Sequence, residues 1–346
     1  MTDAKADRDG AGAPVIKVIG VGGGGSNAVQ HMINQGLGGA QFCVINTDRQ
    51  ALARSTAPVK IEIGLDCCGG LGAGCNFMRG RKAAEESRAE LKQALAGADL
   101  VILLACLGGG TGGGASPVIA QLARELGIMT VALVTLPFAF EGKKHRLYAE
   151  VDLDLLCAQV DALVMIDHNE SLSLLEGGNI SIVNAFNLAN ELLSRAVRFA
   201  INSWSTKHKL YYASAQAVEA IGGRFQVLLN WARAQGEQAV AEAVAQVVHA
   251  PWREVLSGTP QSSLHLYSIC EYSVKAQDKL VESTMRKALG SDIPCQFHGA
   301  FVSSELLKQG QVQLTLLAQL GAMELAKEAL EEIIAAGPHF IAGQRS

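Results

Sequence analysis

An apolar run that ends in six glycines and one threonine leaves a chain few ways to fold. Leu104-Ala105-Cys106-Leu107 leads into Gly108-Gly109-Gly110-Thr111-Gly112-Gly113-Gly114-Ala115-Ser116-Pro117. The first part reads as a strand and the last as the start of a helix. Glycine tolerates positive φ and lets backbone N–H groups reach a ligand with no Cβ in the way. A helix N-terminus adds unpaired donors and partial positive charge, so the segment is built to cradle phosphate groups. No Gly-Lys-Ser/Thr ending follows, which excludes the usual P-loop.

The rest of the first half fits that reading. Val15–Val21, Gln41–Asn46, Leu100–Ala105, Ile128–Thr135 and Ala162–Asp167 read as short apolar strands. Asn27–Gln35, Gly80–Ala96, Ala115–Glu125 and Lys143–Gln159 read as helices between them. Such alternation predicts an α/β fold with a doubly wound, mostly parallel sheet. A long central helix, Ile182–Asn202, follows, and Ser203–Lys209 reads as a polar, basic junction. Helices at Gly236–His249 and Val274–Leu289, with strands at Ser263–Glu271, Pro294–Phe301 and Gln311–Leu317, predict a second, smaller α+β domain. The expected division is a disordered extension over 1–14, a nucleotide-binding domain over 15–180 and the central helix over 181–204. A C-terminal domain over 205–320 and an amphipathic helix and tail over 321–346 complete it.

At 346 residues the chain has room for two domains, and 49% hydrophobic with 18% charged residues is the composition of a compact soluble protein. A net charge of −4 carries no basic footprint for nucleic acid. No apolar run reaches the roughly 20 residues of a membrane span, and the polar start lacks a signal-peptide core, so the expected location is cytoplasmic. The eight cysteines form no pair of CxxC motifs, which argues for reduced thiols rather than zinc. Met323, Ala326, Leu330, Ile333 and Ile334 share a stripe whose opposite face is acidic, the pattern of a helix docked on its own domain rather than a membrane anchor.

A second glycine segment, Gly20-Val21-Gly22-Gly23-Gly24-Gly25-Ser26-Asn27, follows the first strand. Alone it also satisfies the dinucleotide fingerprint, with Asp48 near the place of a ribose-binding acid. Two glycine segments offer more phosphate contacts than a dinucleotide requires.

Further runs carry a family resemblance: Val44-Ile45-Asn46-Thr47-Asp48, Gly70-Leu71-Gly72-Ala73-Gly74, Gly80–Ser87, Gly108–Gly114 and Pro137-Phe138-Ala139-Phe140-Glu141-Gly142. Together these resemble the tubulin/FtsZ superfamily, FtsZ most of all. The resemblance implies that GTP or GDP is bound, with Mg²⁺ as the ion that accompanies a triphosphate. Gly22 to Asn27, Asn46, Asp48, Gly72, Ala73, Gly74 and Gly108 to Gly113, including Thr111, would line the nucleotide. Pro137, Glu141 and His145 would join them, Glu141 at the ribose. Phe186 would stack on guanine and Asn190 would bond its edge. Gly113 stands where the family has a second threonine, Cys75 where it has a glycine, and His145 where it has an arginine. Asp167-His168-Asn169 replaces Pro-Asn-Asp.

The resemblance also implies partners, the chain itself or a conventional FtsZ in head-to-tail filaments, in which one subunit's Asn-x-Asp-x-x-Asp loop completes its neighbour's GTPase site. By that alignment Ala213 and Gln216 occupy the aspartate positions, and no Asp or Glu lies between Ser203 and Gln216. A hydrolysis-deficient protein is therefore expected. With Gln344-Arg345-Ser346 closing the sequence, the family's linker and tether-binding peptide are expected to be absent. Two other readings stay open: an active GTPase drawing on Glu219 or Asp278, and an NAD(P)-dependent oxidoreductase using the first glycine segment.

Overall fold

Short apolar strands that each feed a helix must bury both sheet faces, and the chain does so. The computed structural model describes residues 14–167, 181–205, 224–248, 264–272, 278–290, 296–303 and 307–322. In order, its first half comprises β1 (Ile16–Val21), α1 (Gly22–Asn34), β2 (Gln41–Asn46), α2 (Arg49–Arg54), β3 (Val59–Glu62) and α3 (Leu65–Cys68). Then come α4 (Phe77–Glu86), α5 (Arg88–Leu95), β4 (Leu100–Cys106), α6 (Gly110–Glu125), β5 (Met129–Leu136), a 3₁₀ turn (Ala139–Glu141), α7 (Lys143–Cys157) and β6 (Ala162–Asp167). The second half adds α8 (Ile182–Ser205), β7 (Arg224–Gln235), α9 (Ala239–Val247), β8 (Leu264–Tyr272), α10 (Asp278–Leu289), β9 (Gln296–Ser303) and β10 (Gln311–Ala322).

Among the described residues the strands form one sheet in the order β3-β2-β1-β4-β5-β6-β7-β10-β8-β9. Only β7–β10 and β10–β8 are antiparallel. β4 shows why this sheet is covered twice: Val101, Leu103 and Ala105 join the core under α4, α5, α6 and α7. Leu100, Ile102 and Leu104 face α1 and α8 instead. All six are buried, as period-two alternation requires of a strand packed on both faces.

Several expectations shift. Most glycines of the two segments belong to helices rather than preceding them, since α1 starts at Gly22 and α6 at Gly110, while Gly20 lies in β1 and Gly108 and Gly109 precede α6. The single helix expected over Gly80–Ala96 is broken at Ser87, whose hydroxyl accepts the Gly64 N–H at 3.3 Å. β3, α2, α3 and β7 were not anticipated. The expected helix Met323–Ala336, the loop carrying Ala213 and Gln216, Glu219, and His168 with Asn169 lie outside the described residues. No described helix is long and apolar enough to cross a membrane.

Candidate functional site

β1 and β4 are hydrogen-bonded neighbours whose connections run opposite ways, β1 toward β2 and β4 toward β5. The crevice at such a switch point, outside the carboxyl ends of the strands, is where ligands of parallel α/β sheets bind. Val21 pairs with Ala105 at that end, so the two glycine segments emerge side by side.

They touch. A Cβ on Gly22, which has φ +71°, would lie 2.8 Å from the Gly112 nitrogen. One on Gly24 would lie 2.2 Å from Cys106 Sγ, and one on Gly25 2.4 Å from the Leu104 carbonyl oxygen. These glycines are there for packing. Gly23 and Gly109 are different, because neither has a positive φ and neither would bring a Cβ within 3.5 Å of atoms beyond its chain neighbours and its own helix backbone. Gly23 is also exposed, as is Asn27 one turn further along α1. Backbone and packing therefore leave glycine at 23 and 109 unexplained, whereas a ligand that must approach the backbone explains it.

The helix ends point the same way. Neither α1 nor α6 has a side-chain cap or an acid in its first turn. Their neighbours do: Asp48 Oδ1 accepts the Ala51 N–H at 3.0 Å to cap α2, and Asn76 Oδ1 accepts the Arg79 N–H at 3.1 Å to cap α4. Two uncapped N-termini side by side concentrate donors and partial positive charge. Ser26 adds a buried hydroxyl that has no partner among the described residues.

The loops after β2 and α3 form a further wall. Asn46 Oδ1 accepts the N–H groups of Thr47, at 2.9 Å, and Asp48, at 3.3 Å. Gly72 N donates to the Thr47 carbonyl at 3.0 Å. Ala73 sits against Gly110, where a Cβ would come within 2.9 Å of the alanine methyl. Gly74 takes φ +62° with open space around it. A buried hydroxyl pair, Thr47 Oγ1 to Thr111 Oγ1 at 2.7 Å, locks this wall onto α6. Sequence reading missed Thr47 in that role, because its partner lies on a distant element.

Opposite lies an aromatic wall. Gly108 packs against Pro137 and the His145 carbonyl. Glu141 folds back so that Oε1 accepts the Phe138 N–H at 2.7 Å. Phe138 stacks on Phe140, with centroids 4.8 Å apart, and meets Phe186 edge-on at 5.2 Å. Phe186 remains 44% exposed, which leaves part of its ring open to a ligand. Asn190 stands one turn further along α8. Beside it Glu191 ties α8 to α1 through His31 Nε2 at 2.9 Å, and also pairs with Arg195. Burial raises the Glu191 pKa, but the His31 hydrogen bond and the Arg195 charge outweigh it, and the carboxylate lies below its usual value.

Cys75 carries the cost of its departure from glycine. Its φ of +55° is the only left-handed backbone at a non-glycine among the described residues. Cys75→Gly is expected to raise the unfolding free energy by up to about 1 kcal/mol, the strain relieved less the entropy glycine gains when unfolded. Equilibrium denaturation checks it.

Comparison with known proteins agrees with the geometry. The tubulin/FtsZ family GTPase domain matches residues 15–175. The FtsZ dimer of M. jannaschii superposes with a TM-score of 0.73 at 30% identity, covering 90% of this chain and 89% of that one. The chain belongs to the tubulin/FtsZ family. The cell division protein FtsZ of Coxiella burnetii is 42% identical over 240 residues, 69% of this chain and 62% of the relative. That of Buchnera aphidicola is 50% identical over 184 residues, 53% of this chain and 48% of the relative. The chain thus spans about half to three fifths of the length of these relatives. CetZ2 from Haloferax volcanii, a GTPγS-bound protofilament, has a TM-score of 0.71 at 22% identity over 93% of this chain and 99% of that one, an agreement in fold.

Within this tubulin/FtsZ fold, the positions expected from sequence fall into two groups. Gly22 to Asn27, Asn46, Asp48, Gly72 to Gly74 and Gly108 to Gly113 lie around the uncapped helix ends. Pro137, Glu141, His145 and Phe186 surround the aromatic side, with Asn190 next along α8.

Proposed function

We propose that this chain holds a guanine nucleotide in the crevice between β1 and β4 and hydrolyses it slowly or not at all by itself. The observation that carries the reading is the meeting of two uncapped helix N-termini whose glycines at 23 and 109 leave the backbone open to a ligand. Phosphates would be held by Gly22 to Asn27 and Gly108 to Gly113, with the Asn46–Asp48 and Gly72–Gly74 loops beside them. Glu141 would take the ribose, Phe186 the base face and Asn190 the base edge. The orphan hydroxyl of Ser26 fits such a ligand. Mg²⁺ would accompany a triphosphate as charge compensation.

The deficiency rests on composition. No Asp or Glu occurs between Glu191 and Glu219, so the stretch containing Ala213 and Gln216 offers no carboxylate to orient or deprotonate water. The M. jannaschii relative is a dimer and the Haloferax one a protofilament. Head-to-tail filaments, of this chain alone or with a conventional FtsZ, are the corresponding assembly. Residues 15–180 would then be the nucleotide domain and 205–320 the part presented to the next subunit.

Calorimetry should give GTP and GDP binding well above ATP or NAD. Phe186→Ala and Asn190→Ala should each weaken GTP by about tenfold, the worth of one stacking or hydrogen-bonding contact. NAD binding in preference to GTP would remove the reading.

A further inference from the structure

Gly113 and Asp152 are a matched pair. Asp152 lies on the apolar stripe of α7 with Ala149, Leu153 and Leu156, and it is fully buried. Its Oδ2 accepts the Gly108 N–H at 2.9 Å. A Cβ on Gly113 would fall 1.8 Å from that oxygen, 2.2 Å from Cγ and 2.5 Å from Oδ1. The carboxyl therefore fills the space that a side chain at 113 would need. Oδ1 is buried with no partner among the described residues.

We propose that Asp152 is a positioning residue of the second glycine segment, and that nucleotide binding there drives its carboxyl to the protonated form. The proposal rests on the nucleotide reading above. An ionised carboxylate sealed from water with one oxygen unpaired is expensive. Burial pushes this carboxyl up to about 7, against the Gly108 amide, which pulls the other way. Charged neighbours do not account for it. The charges of α6 are Arg124, which reaches Ala158 and Gln159, and Glu125, which pairs with Arg88 and Lys92. β4 and β5 carry no charged side chain, and burial holds the Cys106 thiol of β4 protonated. Glu141 of the 3₁₀ turn bonds Phe138, and β6 contributes only its terminal Asp167. On α7 itself stand Lys143, Lys144, His145, Arg146, Glu150 and Asp154. None of these groups is among the causes of the shift.

Phosphate held at the start of α6 brings negative charge next to Gly108 and Gly113. A like charge disfavours the ionised acid, so a proton taken up by Asp152 accompanies the nucleotide. Near neutral pH, where the free protein is partly ionised at this position, uptake should be a sizeable fraction of one proton.

The test is calorimetry of GDP binding in buffers of different ionisation heat, on the intact protein and on Asp152→Asn. Subtracting the variant cancels the titration of the nucleotide's own phosphates. The intact protein should take up more protons than Asp152→Asn near pH 7 and the same number at about pH 5. Its affinity should fall about fivefold more between about pH 6 and about pH 8, which is what a one-unit shift from about 7 gives over that range. Binding by both proteins with equal proton uptake overturns the linkage and leaves the nucleotide reading intact. No binding by either overturns both. The pairing has its own readout, which needs no nucleotide: Gly113→Thr should lose much of its thermal stability, and Gly113→Thr with Asp152→Gly should regain most of it. A double variant no more stable than the single one overturns the pairing.

Discussion

Ala213→Asp combined with Gln216→Asp should raise steady-state phosphate release by at least about 100-fold, the low end of what a positioned acid–base group contributes. The unmodified chain should stay far below roughly one turnover per second. The expectation follows from a stretch without a single carboxylate between Glu191 and Glu219. Gln216 can orient water but cannot accept its proton, and alanine does neither. In a mixed filament with a conventional FtsZ, as proposed above, nucleotide on this chain would meet the partner's acids, whereas the partner's nucleotide would meet the stretch with Ala213. Turnover of the mixture should therefore fall as the share of this chain grows. If the unmodified chain already turns over briskly, the reading fails, and loss of that activity in Glu219→Gln or Asp278→Asn would identify the acid.

Gly114→Ala should destabilise the protein by on the order of 3 kcal/mol, although helix propensity favours alanine over glycine by about 1 kcal/mol. A Cβ on Gly114 would lie 2.0 Å from the Phe77 carbonyl oxygen and 2.6 Å from the Arg81 nitrogen. Facing it, a Cβ on Gly80 would lie 2.0 Å from the Gly110 carbonyl oxygen. α4 and α6 thus meet backbone to backbone, and neither atom can swing aside as a side-chain tip would. Separating them also pulls Gly110 from Ala73 and Asn76, so nucleotide affinity should fall with stability. Gly38→Ala, at a glycine with nothing nearby and no positive φ, should be neutral or slightly stabilising and serves as the control. Denaturant titration of the three proteins decides it.

The comparison shows what a sequence displays and what it hides. β1, β2, β4, β5 and β6 were legible because each is a short apolar run next to a glycine or a turn. Both glycine segments stood out along the chain as strand-to-helix features, but their helical conformation did not, since glycine disfavours helix unless packing requires the missing Cβ. Gly24 against Cys106 and Gly114 against Phe77 supply that requirement, and neither neighbour is visible along the chain. β3 at the sheet edge does alternate, Val59-Lys60-Ile61-Glu62, but four residues give that period too little length to stand out. β7 hides because Val227-Leu228-Leu229 breaks its alternation. Asp152 left one trace, an acid on an otherwise apolar helix stripe, whose meaning depends on a glycine far away in sequence.

β6 and β7 pair in parallel, with Leu163, Val164 and Met165 in register with Arg224, Phe225 and Gln226, and so join strands from opposite halves of the chain. Cutting the polypeptide after α8 would strip the outer margin of β6 of its only covering strand and leave amide and carbonyl groups there seeking another polypeptide. The half that carries both glycine segments is thus not a portable module. Its solubility depends on a strand delivered by the half that follows it.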